Sequence, residues 1–262
     1  MIITTSKQAK GNKVQRAQYL ADKWEVPFVI RKKASMKALL REWNQPVYVV
    51  ENDTEKIYHP DEEHPFYFHP SMAWLRAKRL LNNERDTFVE AAGLQEGMSV
   101  LDCTMGLASD SIIASFSAGE KGKVTALEGN RYMAEAVTWG LKEWKSGNES
   151  FDEACQRINV VVSDHVTFLQ KQQSDSFDIV YFDPMFHETI DASTHLHPLK
   201  KLAWYNDLTA EAVEEGKRVA KERVVLKDEV HSPRFHLHGF TPRKRKSSKI
   251  AFGTIEKKEG NT

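Results

Sequence analysis

Cysteine is scarce in this chain, neither sign of charge dominates, and long apolar runs are missing. The two cysteines, Cys103 and Cys155, lie far apart and form no CxxC pair, which argues against a disulfide scaffold or a zinc knuckle. No segment approaches the roughly 18 apolar residues of a membrane helix, and no apolar leader follows the first residues. We therefore expect a cytoplasmic protein without membrane contacts.

The 262 residues suggest one main α/β domain with a smaller appendage. Residues 1–68 are predicted to form a small N-terminal α/β appendage, with helices at 12–24 and 36–43. The stretch from His59 to Pro70 holds three prolines and several acids, which predicts a linker. Residues 69–262 then form the main domain.

Short apolar strands alternate with helices in the main domain. This alternation predicts a Rossmann-like, doubly wound, mostly parallel sheet with helices on both faces. Ligands of such sheets bind beyond the carboxyl ends of the strands, near the point where the strand order reverses. A hairpin is predicted at the end, from 235–240 and 249–255. The predicted parallel strands are Ser99–Asp102, Lys123–Leu127, Ile158–Val162, Phe177–Phe182 and Arg223–Leu226.

Acidic residues follow the first three predicted strands. After Asp102, Gly106 permits a tight turn and close approach of the backbone to a ligand. The turn lacks the second and third glycines of GxGxxG, which counts against a dinucleotide. Glu128 ends the second strand, where an acid commonly accepts hydrogen bonds from the ribose hydroxyls of an adenosine. Asp164, after the third strand, suits either an adenine edge or the cap of the next helix.

The fourth strand end carries the strongest signal, Asp183-Pro184-Met185-Phe186. It is close to the Asp/Asn-Pro-Pro-aromatic signature of methyltransferases that act on amines. The Asp183 carboxylate and the Pro184 carbonyl can accept both hydrogens of an aryl amine and so direct its lone pair at a methyl group. Proline fixes the backbone that aims this carbonyl. Phe186 offers a face on which an extruded base can stack.

Together these segments resemble the RsmJ family of 16S rRNA guanine-N2 methyltransferases. The resemblance covers roughly residues 66–255, and its most specific part is the tetrapeptide at 183–186. The turn after the first strand departs from the family, which usually has Gly and Arg where Ala108 and Ser109 stand. The segments that carry the resemblance are 102–110, 127–130, 181–186 and 223–227.

The resemblance implies a class I methyltransferase that uses S-adenosylmethionine (SAM) and acts on 16S rRNA or the small ribosomal subunit. Asp183, Pro184 and Phe186 are then the catalytic group. The expected cofactor-binding residues are Asp102, Gly106, Ser109, Asp110, Glu128, Gly129, Asp164, His165 and Asp183. Methyl transfer requires no metal, and the pairs His195/His197 and His236/His238 lack the accompanying ligands of a metal site, so we expect none.

Positive charge concentrates between Thr241 and Lys249, where five Lys or Arg occur within nine residues. Such a loop suits phosphate binding, although a solvated charge run explains the same residues equally well. The expected nucleic-acid-binding residues are Arg76, Arg79, Lys227, Arg243, Lys244, Arg245 and Lys246.

Three alternatives remain at this point. The same site would serve a methyltransferase of DNA adenine or of a small-molecule amine. A nicotinamide-dependent oxidoreductase shares the sheet, but the missing GxGxxG disfavours it. A non-catalytic RNA-binding protein is disfavoured because RNA binding alone requires no acids at the strand ends.

Overall fold

The polypeptide folds into two units, each built on its own β-sheet. The computed structural model describes residues 1–7, 9–51, 54–184, 207–243 and 248–257. A small unit comprises Met1–His69 and Arg131–Trp144, and a large unit comprises Pro70–Asn130 with the other described residues. Among the helices that are described, none combines the length and apolarity needed to cross a membrane.

The small unit is a four-stranded sheet in the order β1-β2-β3-β4, with β1 and β2 parallel and the other pairs antiparallel. Both predicted helices are present, and the second begins where the Ser35 hydroxyl accepts a hydrogen bond from the Ala38 amide at 3.1 Å. The elements are β1 (Ile2–Thr5), α1 (Asn12–Trp24), α2 (Met36–Trp43), β2 (Val47–Val50), β3 (Glu55–Tyr58), β4 (Phe66–Tyr67) and the later helix α6 (Arg131–Glu143).

The linker prediction for His59–Pro70 was wrong in its central part. Phe66 and Tyr67 form the edge strand β4 and pair with β3, and Phe66 is buried. The prolines flank this short strand rather than interrupt it, and proline is compatible with a sheet edge. Phe68 also packs closely on α6, since a Cβ on Gly140 would lie 2.3 Å from its ring. Only glycine fits there.

An ion-pair network around the buried Glu55 joins α1, β3 and α6 within the small unit. The Arg16 guanidinium donates to both oxygens of Glu55, at 2.9 and 3.1 Å, and to Glu135 at 2.8 Å. Glu55 also accepts a hydrogen bond from the Tyr48 hydroxyl. Lys23 binds the second oxygen of Glu135 at 2.8 Å. Two of the unit's cations are therefore neutralised internally.

The large unit holds a seven-stranded, mostly parallel sheet in the order β10-β11-β9-β8-β5-β6-β7. The five strands from β9 to β7 in this order run parallel, while β11 is antiparallel to both β9 and β10. The strands are β5 (Ser99–Asp102), β6 (Lys123–Glu128), β7 (Asn159–Val162), β8 (Phe177–Phe182), β9 (Ala220–Glu229), β10 (Thr241–Arg243) and β11 (Ile250–Glu256).

The order of the parallel strands reverses between β5 and β8. From β5 the chain proceeds to β6 and β7 on one side, and from β8 to β9 on the other. Helices connect and cover these strands: α3 (Ser71–Leu81), α4 (Thr87–Ala92), α5 (Ser109–Ala118), α7 (Glu149–Gln156), α8 (His165–Gln170), α9 (Ala210–Val219) and α10 (Pro233–Leu237). This is the predicted Rossmann-like fold, and the reversal marks the expected ligand crevice.

The terminal hairpin was predicted in the wrong register. Residues Pro233–Leu237 form helix α10, because Pro233 suits the first helical position and the Ser232 hydroxyl caps the helix. The hairpin strand preceding the basic loop is instead Thr241–Arg243, which pairs with β11. His236 therefore lies on a helix and not on an extended chain.

Candidate active site

Two loops meet where the strand order reverses, and hydrogen bonds tie them together. The loop after β5 and the end of β8 are joined by the Cys103 amide, which donates to the Tyr181 carbonyl at 2.9 Å. The Asp183 amide in turn donates to the Thr104 hydroxyl at 2.6 Å. The Thr104 amide donates to the buried Asp102 carboxylate at 3.0 Å. The backbone of Asp183 is thereby fixed beside the first strand end.

A lysine on the neighbouring strand bridges two carboxylates at this place. Lys227 Nζ lies 2.7 Å from Asp183 Oδ2 and 3.0 Å from Asp110 Oδ2. The Asp183 side chain is 24% exposed, so its carboxylate is directed neither fully inward nor into open solvent. Burial raises the pKa of Asp183, and the nearby Asp110 carboxylate adds to the rise, while Lys227 opposes it. The lysine thus helps to keep Asp183 ionised near neutral pH.

The Asp110 carboxylate accepts three hydrogen bonds from protein groups. It accepts hydrogen bonds from Arg76 at 2.6 Å, from the Tyr181 hydroxyl at 2.9 Å and from Lys227. Burial favours the neutral acid, but Lys227 and Arg76 outweigh it and hold the pKa of Asp110 below its usual range. Arg76 is itself fixed by a bidentate pair with Asp86, at 2.7 and 2.9 Å. Asp110 therefore positions the cation that reaches Asp183.

The turn between β5 and α5 leaves open space beside its glycine. Gly106 has φ +51°, and a Cβ placed on it would find only the Thr104 carbonyl oxygen, at 4.0 Å. No side chain fills the crevice at this point of the described structure. Ala108, which precedes α5, has φ +60° in the left-handed region, where a residue with a Cβ is disfavoured. The backbone here is held in the shape that glycine would adopt freely.

Glu128 closes the end of β6 with a nearly buried carboxylate, 8% exposed. Its Oε1 accepts a hydrogen bond from the Asn130 amide at 2.9 Å. Burial raises the pKa of Glu128 to about 7, although hydrogen bonds from backbone amides, including those of Gly106 and Gly129, act to lower it. An acid of this kind, beside the glycine turn, can accept hydrogen bonds from the hydroxyls of a ribose.

Asp164 and His165 follow β7. Asp164 caps α8, since its Oδ1 accepts a hydrogen bond from the Thr167 amide at 2.9 Å. His165 is 7% exposed, and its Nε2 has no hydrogen-bond partner among the residues described. Burial lowers the pKa of His165, so the ring is neutral at physiological pH. A buried ring nitrogen without a partner is available to a polar ligand.

The comparisons with known proteins decide the family. The model of the SAM-dependent methyltransferase family matches residues 45–250, most of the chain. The chain belongs to this family. The uncharacterized protein YpiP of Bacillus subtilis (strain 168) is 38% identical over 255 residues, covering 97% of this chain and 99% of YpiP. The SAM-dependent methyltransferase NGO1261 of Neisseria gonorrhoeae shares the fold, with a TM-score of 0.61 at 19% identity, over 98% of this chain and 96% of that one.

The residues of this methyltransferase fit SAM, the cofactor of its family. The open space beside Gly106 admits a ligand against the backbone. Glu128 supplies an acceptor for ribose hydroxyls, and His165 has a buried nitrogen to satisfy. All three follow carboxyl ends of adjacent strands, β5, β6 and β7, where such sheets bind ligands.

The remaining site residues predicted from the sequence differ in their burial and in the contacts they make in this methyltransferase. Ser109 and Gly129 are half-buried beside the turn and at the end of β6, respectively. Pro184 is buried directly after Asp183. The carboxylates of Asp102 and Asp110 are taken up by protein donors. Phe186, Lys244, Arg245 and Lys246 lie outside the described residues.

Two residues expected on the nucleic-acid surface lie in the site instead. Arg76 and Lys227 both bind Asp110, and their charges are matched by carboxylates. Arg79 and Arg243 are exposed. The sequence analysis missed the parts played by Thr104, Tyr181 and Lys227. The sequence did contain one indication of the position of Lys227. This lysine directly follows the predicted apolar strand that comes next in the chain after the strand of Asp183.

Proposed function

We propose that this methyltransferase acts on an exocyclic amine of a nucleic-acid base, with guanine N2 of 16S rRNA as the preferred substrate. The observation that carries the proposal is the Asp183 carboxylate held by Lys227 where the strand order reverses. The RNA and the guanine come from the resemblance of the Asp-Pro-Met-Phe segment to the RsmJ family.

The geometry supports amine chemistry because Asp183 retains an acceptor for the substrate. Lys227 binds Oδ2, and no hydrogen bond to Oδ1 occurs among the described residues. This oxygen and the Pro184 carbonyl would accept the two amine hydrogens and orient the lone pair. SAM supplies the electrophilic methyl group when bound.

Asp183 can also accept the proton that the amine must lose. Once methylated, the nitrogen carries a positive charge, which a carboxylate 3 Å away stabilises. The raised pKa of Asp183 makes it a better proton acceptor than a solvated aspartate. Phe186 would stack on the extruded base, and Arg79 and Arg243 with residues 244–246 would contact phosphates.

A DNA adenine or small-molecule amine methyltransferase is the second candidate, because Asp183 and Pro184 orient any aryl amine. Incubation with methyl-labelled SAM and separate samples of rRNA, DNA and free nucleosides distinguishes the candidates. We expect label in rRNA, recovered as N2-methylguanosine by nucleoside mass spectrometry. Label confined to DNA or to free nucleosides would reject the RNA substrate.

A matched pair of variants connects this activity to the site. Asp183→Asn keeps the shape but loses the charge and half the acceptors, and should reduce the rate of labelling at least about 100-fold. Asp178→Asn makes the same change at the opposite end of β8, where Asp178 binds Ser99 and Lys221. This control should retain labelling after correction for its stability.

A further inference from the structure

Positive charge is concentrated in the first 37 residues of a chain that is neutral overall. Residues 1–37 contain nine Lys or Arg and two acids, which leaves 28 basic against 35 acidic residues in the rest. The N-terminal segment is therefore strongly cationic and the remainder anionic. A segregation of this size is the electrostatic footprint of a polyanion partner.

The topology brings many of these cations to one edge of the small sheet. β1 runs parallel to β2, and Phe28 forms a parallel bridge with Ile3 of β1. The segments that leave β1 and Phe28 therefore emerge at the same edge. The first contains Ser6, Lys7 and Lys10, and the second contains Arg31, Lys32 and Lys33.

These two segments enclose a cleft of about 180 Å³. Lys7, Arg31 and Lys32 contribute positive charge to it, Thr5 and Ser6 contribute polar groups, and Phe28 and Ile30 contribute apolar surface. The cleft is smaller than the roughly 300–1,000 Å³ of pockets that enclose whole cofactors. Its size suits a phosphate with part of a sugar or base.

The cations of the cleft are available to a ligand, unlike others in the same unit. Arg16 and Lys23 are neutralised by Glu55 and Glu135. Lys7, Arg31 and Lys32 form no ion pair within the described residues. Arg31 donates from Nε to the Ala34 carbonyl at 3.1 Å, which fixes the guanidinium while its other nitrogens remain for an anion. Ile30 is 71% exposed beside it.

We propose that this basic cleft binds the phosphate backbone of the RNA substrate. The proposal rests on the proposed function for the identity of the polyanion. Arg31, Lys32 and Lys7 would contact a phosphate in the cleft and its neighbours just outside it, and Phe28 and Ile30 would pack against the adjacent sugar or base. A membrane surface is less well matched, because binding to lipid needs a broad apolar helix face, and the apolar part of this cleft is limited to Ala9, Val14, Phe28 and Ile30.

Binding of a fluorescein-labelled single-stranded rRNA fragment to the full chain tests the proposal by anisotropy. The test variant is Arg31→Ala/Lys32→Ala. Each phosphate contact on a single strand contributes about 0.7 to the slope of log affinity against log salt. Loss of two contacts should reduce the slope by about 1.4 and weaken binding roughly 25-fold at 0.1 M salt.

The control Lys121→Ala/Lys123→Ala removes the same charge from exposed positions in the large unit. It should bind RNA within about threefold of the parent, and melting curves should show both double variants folded. Equal binding by test and control variants would overturn the proposal. So would a parent protein that binds phosphatidylserine vesicles but not RNA.

Methyl transfer to a free nucleoside or dinucleotide separates this inference from the proposed function. If the small substrate is methylated equally by parent and test variant, weakened RNA binding belongs to the cleft alone. If no RNA is methylated but RNA binding still depends on Arg31 and Lys32, the proposed substrate fails while the cleft stands.

Discussion

Replacing Lys227 by methionine probes the contact on which the active site depends. The variant keeps the length of the side chain but removes the cation between Asp183 and Asp110. Asp110 keeps Arg76, whereas Asp183 loses its only ion-pair partner within the described residues. The effect should therefore fall chiefly on Asp183.

The size of the effect follows from the burial of the three groups. Breaking a fully buried pair costs about 3–5 kcal/mol. Lys227 and Asp183 retain 23% and 24% exposure, so we expect about 2 kcal/mol at pH 8. For a protein of this size that lowers the Tm by roughly 4–8 °C. Without the cation, the pKa of Asp183 should rise further, because burial and Asp110 then act unopposed by Lys227.

The sign of the pH dependence follows from the raised pKa. Lys227 stays charged throughout the pH range from 5 to 8, so the carboxylate decides the difference. When a carboxylate has a higher pKa in the folded protein than in the unfolded chain, the protein becomes less stable as pH rises between these two pKa values. The stability lost by Lys227→Met should therefore be small near pH 5 and larger at pH 8. The acid limb of methyl transfer should move to higher pH with the pKa of Asp183.

Urea unfolding at pH 5 and pH 8, with a pH profile of kcat/KM, checks these values. Lys221→Met is the matched control, because Lys221 forms the same kind of pair with Asp178 at the other end of the same two strands, at 2.8 Å. It should leave the acid limb in place. A Lys227→Met enzyme with an unchanged acid limb would refute the role given to Lys227.

Further predictions concern the cofactor side of the site. Glu128→Gln removes an acid whose pKa is raised to about 7. The free energy of unfolding should therefore increase by about 2–3 kcal/mol at pH 8, and this gain should vanish near pH 4. Calorimetry should show at least tenfold weaker SAM binding, and a variant that binds SAM normally would contradict the assignment. Gly106→Ala should cost about 1 kcal/mol in unfolding experiments and hinder SAM, because φ is +51° and the new Cβ would enter the crevice; unaltered affinity would show that the cofactor lies elsewhere. Ala108→Gly should leave stability unchanged or higher, whereas Ala114→Gly inside α5 should cost about 1 kcal/mol; equal losses would exclude strain at Ala108.

Much of the large unit was predictable because its signals are local. Strands β5 to β8 each contain a short apolar run, and each of them ends at or just before the acid that singled it out. Asp164 illustrates the point, since its position before a helix predicted the cap that the structure contains. The same local logic failed at Phe66, where flanking prolines indicated a linker although the residues pair with β3.

The role of Lys227 could not be predicted from the sequence, because it depends on the register between two strands. Phe182 pairs with Leu226, so the next residues along β8 and β9, Asp183 and Lys227, come side by side. A shift of one residue would turn the lysine to the other face. The approach of Arg76 to Asp110, across 34 residues, depends likewise on how α3 packs against α5. Such contacts follow from the fold and not from any single segment.

The measurement that tests the site most directly is the comparison of SAM binding and methyl transfer in Asp183→Asn. Calorimetry should give an affinity for SAM within about threefold of the parent, while single-turnover transfer falls at least about 100-fold. Transfer at the parental rate by this variant, or a parent protein that binds no SAM, would contradict the assignment of Asp183.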